Sequence, residues 1–182
     1  MKTRPVDKMM LLALAVIGCV LFAVGAVRGQ ISDAAEDVGP DPRLLAAMDA
    51  NDLEYEIDED NDVKVLLAWD DNRSHVVWAN TVTEDYEGIE VREVWGILAE
   101  YASTDDVPKE VLLDLMTANF QLKFGKYALF VDENSGTARV RFILTVSAEL
   151  DGGTLAKVIN FVGMVADEKE KEVEDPDNRD VF

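Results

Sequence analysis

His75 is the only histidine of the chain, so any Ser-His-Asp arrangement must use it, and no serine sits in a G-x-S-x-G elbow. Its place between Ser74 and Val76, in a stretch of strand character, reads as an ordinary sheet-surface residue. Asp58, Asp60 and Asp62 have the alternate spacing of a calcium loop. The sixth position, however, is Val63 where glycine is needed for the turn, and the twelfth is Trp69 where a bidentate Glu is needed, which rejects an EF-hand. A solvated hairpin turn is the main reading of these aspartates, with weak calcium binding the competing one. Zinc or iron sites of the usual kind need several His or Cys ligands, and the chain has one of each. General acid-base work needs a carboxyl of raised pKa in a pocket, and no pair stands out among 37 acidic residues. The sequence therefore assigns no catalytic, cofactor-binding or metal-binding residue and implies no cofactor, and it leaves the partner-binding residues unassigned.

Two further residue types invite a role. Asn119 continues an apolar stripe of Leu112, Leu115 and Met116, so its amide is expected to bond exposed carbonyls at a helix end or in the following strand. Trp69, Trp78 and Trp95 each fall on an apolar strand face and are expected mostly in the core. One on an uncovered face would be a good anchor for a partner.

The elements that must position these residues follow from hydrophobic periodicity. Asp41 and Pro42 open a short helix whose inner stripe is Leu44, Leu45 and Met48. Leu53, Tyr55 and Ile57 alternate with acids, and the turn 58–62 leads to Val63, Val65, Leu67 and Trp69, which predicts a hairpin. A turn at Asp70-Asp71-Asn72-Arg73 hands over to a third strand with Val76, Trp78 and Val82 on one face. Ile89, Val91, Trp95, Ile97, Ala99 and Tyr101 share a parity and predict a long fourth strand, with a bulge near Glu93-Val94 or an exposed strand end accounting for Glu93. After a capping loop over 103–106, Pro108 opens a helix with Val111, Leu112, Leu115 and Met116 inward, ending near Phe120. Two strands joined by the turn 132–136 follow. In the second, Ala138, Val140, Phe142, Leu144, Val146 and Ala148 form one face, and Arg139, Arg141, Thr145 and Ser147 the other. Gly152-Gly153 introduces a last helix with Leu155, Val158, Ile159, Val162, Val165 and Ala166 at helical spacing. Charge takes over from Asp167. The expected fold class is α+β: an antiparallel sheet of about six strands with helices packed on one face, in the order α-β-β-β-β-α-β-β-α.

With 182 residues, 48% of them apolar, the chain can bury one sizeable core. A net charge of −20 opposes a phosphate backbone, so nucleic acid is excluded as the expected partner. Lys2, Arg4 and Lys8 precede an uncharged, mostly apolar run from Met9 to Val27, the form of an export signal. Cleavage before Val27 or Gln30 is one outcome. A retained anchor is the other, since the run reaches about 28 Å as a helix, close to a bilayer core. In both, the basic start stays in the cytoplasm and the rest crosses, giving a periplasmic or secreted domain, or one anchored by residues 9–27. Val16-Ile17-Gly18-Cys19 has the form of a lipobox, although the apolar run continues beyond Cys19. As the only cysteine, Cys19 leaves the exported domain no internal disulfide. The chain divides into a leader or anchor (1–29), a flexible spacer (30–40), an α+β domain (41–173) and an acidic tail (174–182).

Leu112-Leu113-Asp114-Leu115-Met116-Thr117-Ala118-Asn119, then Leu122-Lys123-Phe124-Gly125-Lys126-Tyr127 and the Gly152-Gly153-Thr154-Leu155 opening of the last helix, stand in an order and spacing that resembles the YbjN family of bacterial proteins. The resemblance implies a fold like that of type III secretion chaperones and a non-catalytic role in regulation or protein handling. The leader and spacer depart from those chaperones, which work in the cytosol. Three functions follow as expectations. The first is an envelope protein-interaction module, as a monomer or a homodimer, binding a polypeptide on a sheet edge or helix-lined groove. The second is an accessory subunit of an envelope assembly, touching the membrane only through its N-terminal segment. The third is an enzyme or small-ligand binder, which requires a concave pocket with convergent polar groups.

Overall fold

The computed structural model describes residues 39–69 and 73–173. The leader, Cys19, most of the spacer, the acidic tail and the turn residues Asp70, Asp71 and Asn72 lie outside the described residues. Pro42 fixes the first helical turn of α1 (Pro42–Asp49), and the Asp41 carboxylate caps it by accepting from the Arg43 N–H at 2.9 Å. There follow β1 (Tyr55–Ile57), β2 (Val63–Ala68), β3 (Ser74–Ala79), β4 (Glu84–Tyr86) and β5 (Ile89–Tyr101). A single 3₁₀ turn, Thr104–Asp106, leads to α2 (Lys109–Gln121), then β6 (Lys126–Val131), β7 (Ala138–Ser147) and α3 (Gly152–Val173). The strands form one antiparallel sheet in the order β1-β2-β3-β5-β7-β6. The short β4, which the periodicity does not show, pairs with the start of β5 through a tight turn at Glu87-Gly88. Among the described residues no helix is long and apolar enough to cross a membrane.

The three helices contribute to one core against one face of the sheet: Leu44 and Met48 from α1, Leu115 from α2, and Leu155, Ile159, Val162 and Ala166 from α3. They meet Val63, Val65, Val77, Val94, Leu98, Val140 and Phe142 from the strands. This is the expected α+β fold with its helices on a single face. The parity of β5 is reversed from the sequence reading, because Arg92, Val94 and Gly96 face the helices whereas Trp95 and Ile97 face away. The bulge lies between Ile97 and Ala99, not at Glu93. There Leu98 is the extra residue, so Leu98 and Ala99 both join the core and the parity flips for the rest of the strand.

In β3 the same reversal moves His75. The imidazole is 1% exposed, not on the sheet surface, and its Nδ1 lies 3.2 Å from Oε2 of Glu170 on α3. Gly96 makes room for it: a Cβ there would stand 2.8 Å from His75 Nε2 and 3.1 Å from the Ala166 methyl. Asp167 accepts from Arg73 at 2.6 Å and pairs with Lys171 at 2.7 Å, and Lys169 pairs with Asp114 of α2. The charge that begins at Asp167 is therefore not a solvated run; Asp167, Lys169 and Glu170 are buried and pin the end of α3. Val82, read as part of the third strand, lies beyond it and is exposed.

At the opposite corner Arg92, 2% exposed, donates to Asp41 at 2.5 Å and to the Asn80 carbonyl at 2.8 Å. Burial acts to raise the Asp41 pKa, but hydrogen bonds from Arg43 and Arg92 outweigh it and hold the carboxyl at about 2, below its ordinary 3.8. A depressed carboxylate pKa stabilises the fold at and above neutrality, and that contribution is lost as pH falls from about 4 through about 2. Asp41→Asn keeps the helix cap but removes this titration. Urea titrations at pH 7 and at pH 2 should show wild type losing about 2 kcal/mol more than the variant across that window. Equal losses would show that this carboxylate does not carry the effect.

Candidate functional site

The β6 strand is six residues long and β7 is ten, and the difference leaves an opening in the sheet. Pairing between them runs from Val131 opposite Ala138 to Lys126 opposite Ile143 and stops there. The stop is built into Gly125. Its φ of +75° is a left-handed conformation, and a Cβ at this position would lie 2.4 Å from the Phe142 ring. The chain therefore turns off the edge at Gly125, and Leu144–Ser147 keep a neighbour only on the β5 side. Ala148 N–H bonds the Glu90 carbonyl of β5, so by the alternation of an antiparallel ladder the N–H and C=O of Thr145 point the other way, into the opening. The Ser147 carbonyl on that side accepts from Leu150 N–H at 3.3 Å.

Beside this bare edge is a groove of about 550 Å³. Leu144 and Val146 come from β7, Leu150 from the loop, Val158 and Phe161 from α3, and Phe124 from the segment before Gly125. Phe161 is held edge-on to Phe142, ring centroids 6.1 Å apart, and Phe142 is itself tilted against Tyr127 at 5.3 Å. Polar groups are few: Thr145, Ser147, Thr154 and Lys157. Asp151 caps α3 at the mouth, accepting from the Thr154 hydroxyl at 2.6 Å and its N–H at 3.0 Å, and those bonds lower the Asp151 pKa. Phe124 is 70% exposed, a large apolar side chain offered to solvent.

Asn119 acts as the sequence predicts, and more completely. Its amide donates to the Tyr127 carbonyl at 2.9 Å and accepts from the Tyr127 N–H at 2.7 Å, taking the place of a strand neighbour on the outer edge of β6. Asn119 and Leu115, four residues apart, thus define the inward face of α2. Met116, expected inward, lies about 100° round the helix and is exposed, as are Leu113 and Phe120.

The other predicted positions do not converge on this groove. Asp58 and Asp62 direct oxygens at backbone: Asp58 accepts from the N–H groups of Asp60 at 3.0 Å and Asp62 at 2.9 Å, and Asp62 accepts from Thr81 N–H at 2.7 Å. The Asp62 pKa is raised, chiefly by burial. Among the described residues no group of three or more His, Cys, Asp or Glu side chains could hold a metal ion. Trp69 packs beside the main core, whereas Trp78 and Trp95 stack on the face away from the helices. The sequence assigns no binding role to Leu150 or Phe161, and Phe124 enters it only within the motif that carries the family resemblance; the signal for all three is the unequal length of the two final strands around Gly125.

These features define a class: α+β domains whose antiparallel sheet carries all its helices on one face and leaves part of an inner strand open at its edge. The chain belongs to the YbjN family, "putative bacterial sensory transduction regulator", whose model matches residues 40–175. Among solved structures it is similar to YbjN from E. coli, with 11% identity, a TM-score of 0.42, and coverage of 71% of this chain and 89% of that one. It is also similar to a chain of the HopA1–SchA chaperone–effector complex, with 14% identity, a TM-score of 0.39, and coverage of 72% and 89%. No curated protein gives a significant match.

Asn119→Ala would leave both backbone groups of Tyr127 without a protein partner. The expected loss is about 1–3 kcal/mol of stability, with faster hydrogen exchange at the Tyr127 amide than at Phe142, which lies opposite it on β7. Unchanged exchange at Tyr127 would refute the clamp.

Proposed function

We propose that this chain is a non-catalytic protein-interaction module that binds an extended polypeptide segment along the Leu144–Ser147 edge. One observation carries the reading: an unpaired stretch of inner strand lies directly beside an apolar groove. Backbone groups of Thr145 supply ladder bonds to a visiting strand, and the pockets around Phe124, Leu150 and Phe161 take its alternate side chains. A net charge of −20 favours a segment that is apolar where it enters the groove and neutral or basic around it. The family's description as a sensory transduction regulator fits a role exerted through a polypeptide partner.

Binders selected from a random peptide library should alternate apolar and polar residues and shift the amide signals of Thr145 and Ser147 in the full chain. Phe124→Asp, at an exposed position, should weaken them at least about tenfold. Binders that leave Thr145 undisturbed and tolerate Phe124→Asp would refute the site. Sedimentation showing a dimer that Phe124→Asp dissolves would assign the groove to a second copy instead.

The location we propose rests on the sequence: residues 1–29 carry the domain across the cytoplasmic membrane, as a cleaved leader or as an anchor through residues 9–27. Fractionation of a bacterial host with intact-mass analysis should find the protein outside the cytoplasm, with or without those residues. Full-length protein in the cytosol alone would overturn the proposal.

A further inference from the structure

The face of the sheet away from the helices carries a second cavity, of about 630 Å³, lined by Arg141 among other residues. Four flat groups from four neighbouring strands stack across it. Trp78 of β3 lies on Trp95 of β5 with ring centroids 4.5 Å apart and planes within 5°. The Arg141 guanidinium of β7 follows, its Cζ 3.9 Å from the Trp95 ring centroid, and on its other side Phe130 of β6 stands at the same 3.9 Å. Trp95 is locked by its indole N–H, which donates to the Asn80 side-chain carbonyl at 2.7 Å. The rings cover both faces of the guanidinium, an arrangement worth about 0.5–2 kcal/mol per ring, so the only bonding left to Arg141 is in its own plane.

That plane is not satisfied within the chain. Among the described residues Arg43, Arg73, Arg92 and Arg139 each hold a carboxylate, and Arg141 holds none. Its Nε is buried with no hydrogen-bond partner. On a chain with 37 acids and 17 bases, an arginine left without a carboxylate is a vacancy of charge, and it lines a cavity of ligand size. Burial, and to a lesser extent the neighbouring Arg139, push its pKa down to about 10 against a smaller opposing pull from Glu93, which makes no ion pair with it, and an incoming anion would reverse that direction.

We infer that this cavity binds a small monocarboxylate with a flat apolar body. The carboxylate, planar and two-pronged, matches the in-plane donors of the guanidinium, and the apolar body lies along the indole edges and Ile97. Lys64 and Arg139 line the cavity too, but they are engaged by Glu56 and Glu100, and Asp58, Asp60 and Asp62 at its rim select against ligands of higher negative charge such as phosphates. The site lies across the sheet from the groove and stands independently of the polypeptide-binding reading.

The test uses the full chain, labelled with ¹⁵N, and three probes: 3-phenylpropionate, its uncharged amide 3-phenylpropanamide, and inorganic phosphate. The carboxylate should shift the Trp95 indole N–H and Arg141 Nε–H signals saturably. The amide and phosphate should bind at least about tenfold more weakly. Arg141→Met should abolish the difference between acid and amide, with far-UV dichroism as the check on folding. Acid and amide shifting Trp95 alike in the wild type, which needs no variant, would overturn the proposal. So would phosphate binding as well as the carboxylate, or no probe moving these signals.

Discussion

The contact between His75 and Glu170 sets how closely α3 approaches the sheet, and most of the molecule follows from that approach. A carboxylate buried beside an imidazole is costly unless it is paired, and Glu170 meets both His75 and, at 3.6 Å, the Arg73 guanidinium, so these contacts hold the helix at one height and one rotation. Gly96 under the imidazole, and Gly163 on the helix, where a Cβ would fall 2.4 Å from Leu67, bring the two surfaces to contact. With the C-terminal half of α3 seated this way, Leu155, Ile159, Val162 and Ala166 fall in register on the core. Its N-terminal half then presents Val158 and Phe161 beside the last residues of β7. The groove wall is thus positioned by charges more than two helical turns away.

The two faces of the sheet solve different problems. The covered face is apolar and closed by three helices, and its few polar groups are paired. The uncovered face needs no helix because its apolar cluster of Trp95, Ile97 and Ile143 is shielded by its own neighbours, Trp78 and Ala128, and by the Arg141 guanidinium lying over the Trp95 ring. Edges are managed as deliberately as faces. Asn119 covers the outer edge of β6 at Tyr127, where α2 can reach it, whereas the stretch of β7 past Gly125 is left open beside the groove.

The α+β class, the element order apart from the short β4, and the single helical face were legible because the alternation in β7 and the apolar stripe of α3 are long and unbroken. Strand parity was harder. In β5 both parities are apolar from Val94 to Ala99, and with one face on the main core and the other on the tryptophan cluster, alternation cannot say which is which. The bulge at Leu98 then reverses the pattern within the strand. His75 was misplaced for the same reason: its partner Glu170 lies 95 residues away, inside what reads as a charged helix end. The role of Asn119 was readable because it depends on neighbours eight residues distant. The groove was not, since it arises where one strand ends before the other.

Where β6 ends decides how much of β7 is open, and that makes Gly125 an aperture stop. The register of a hairpin changes in whole residues, so the opening can widen or narrow only in steps set by the turn at Asp132–Gly136 and by the glycine. A lineage could lengthen β6 and close the slot, or shorten it and admit a longer guest, without touching a residue of the core. Recognition and folding would then drift separately, and chains with one common scaffold could come to hold quite different clients.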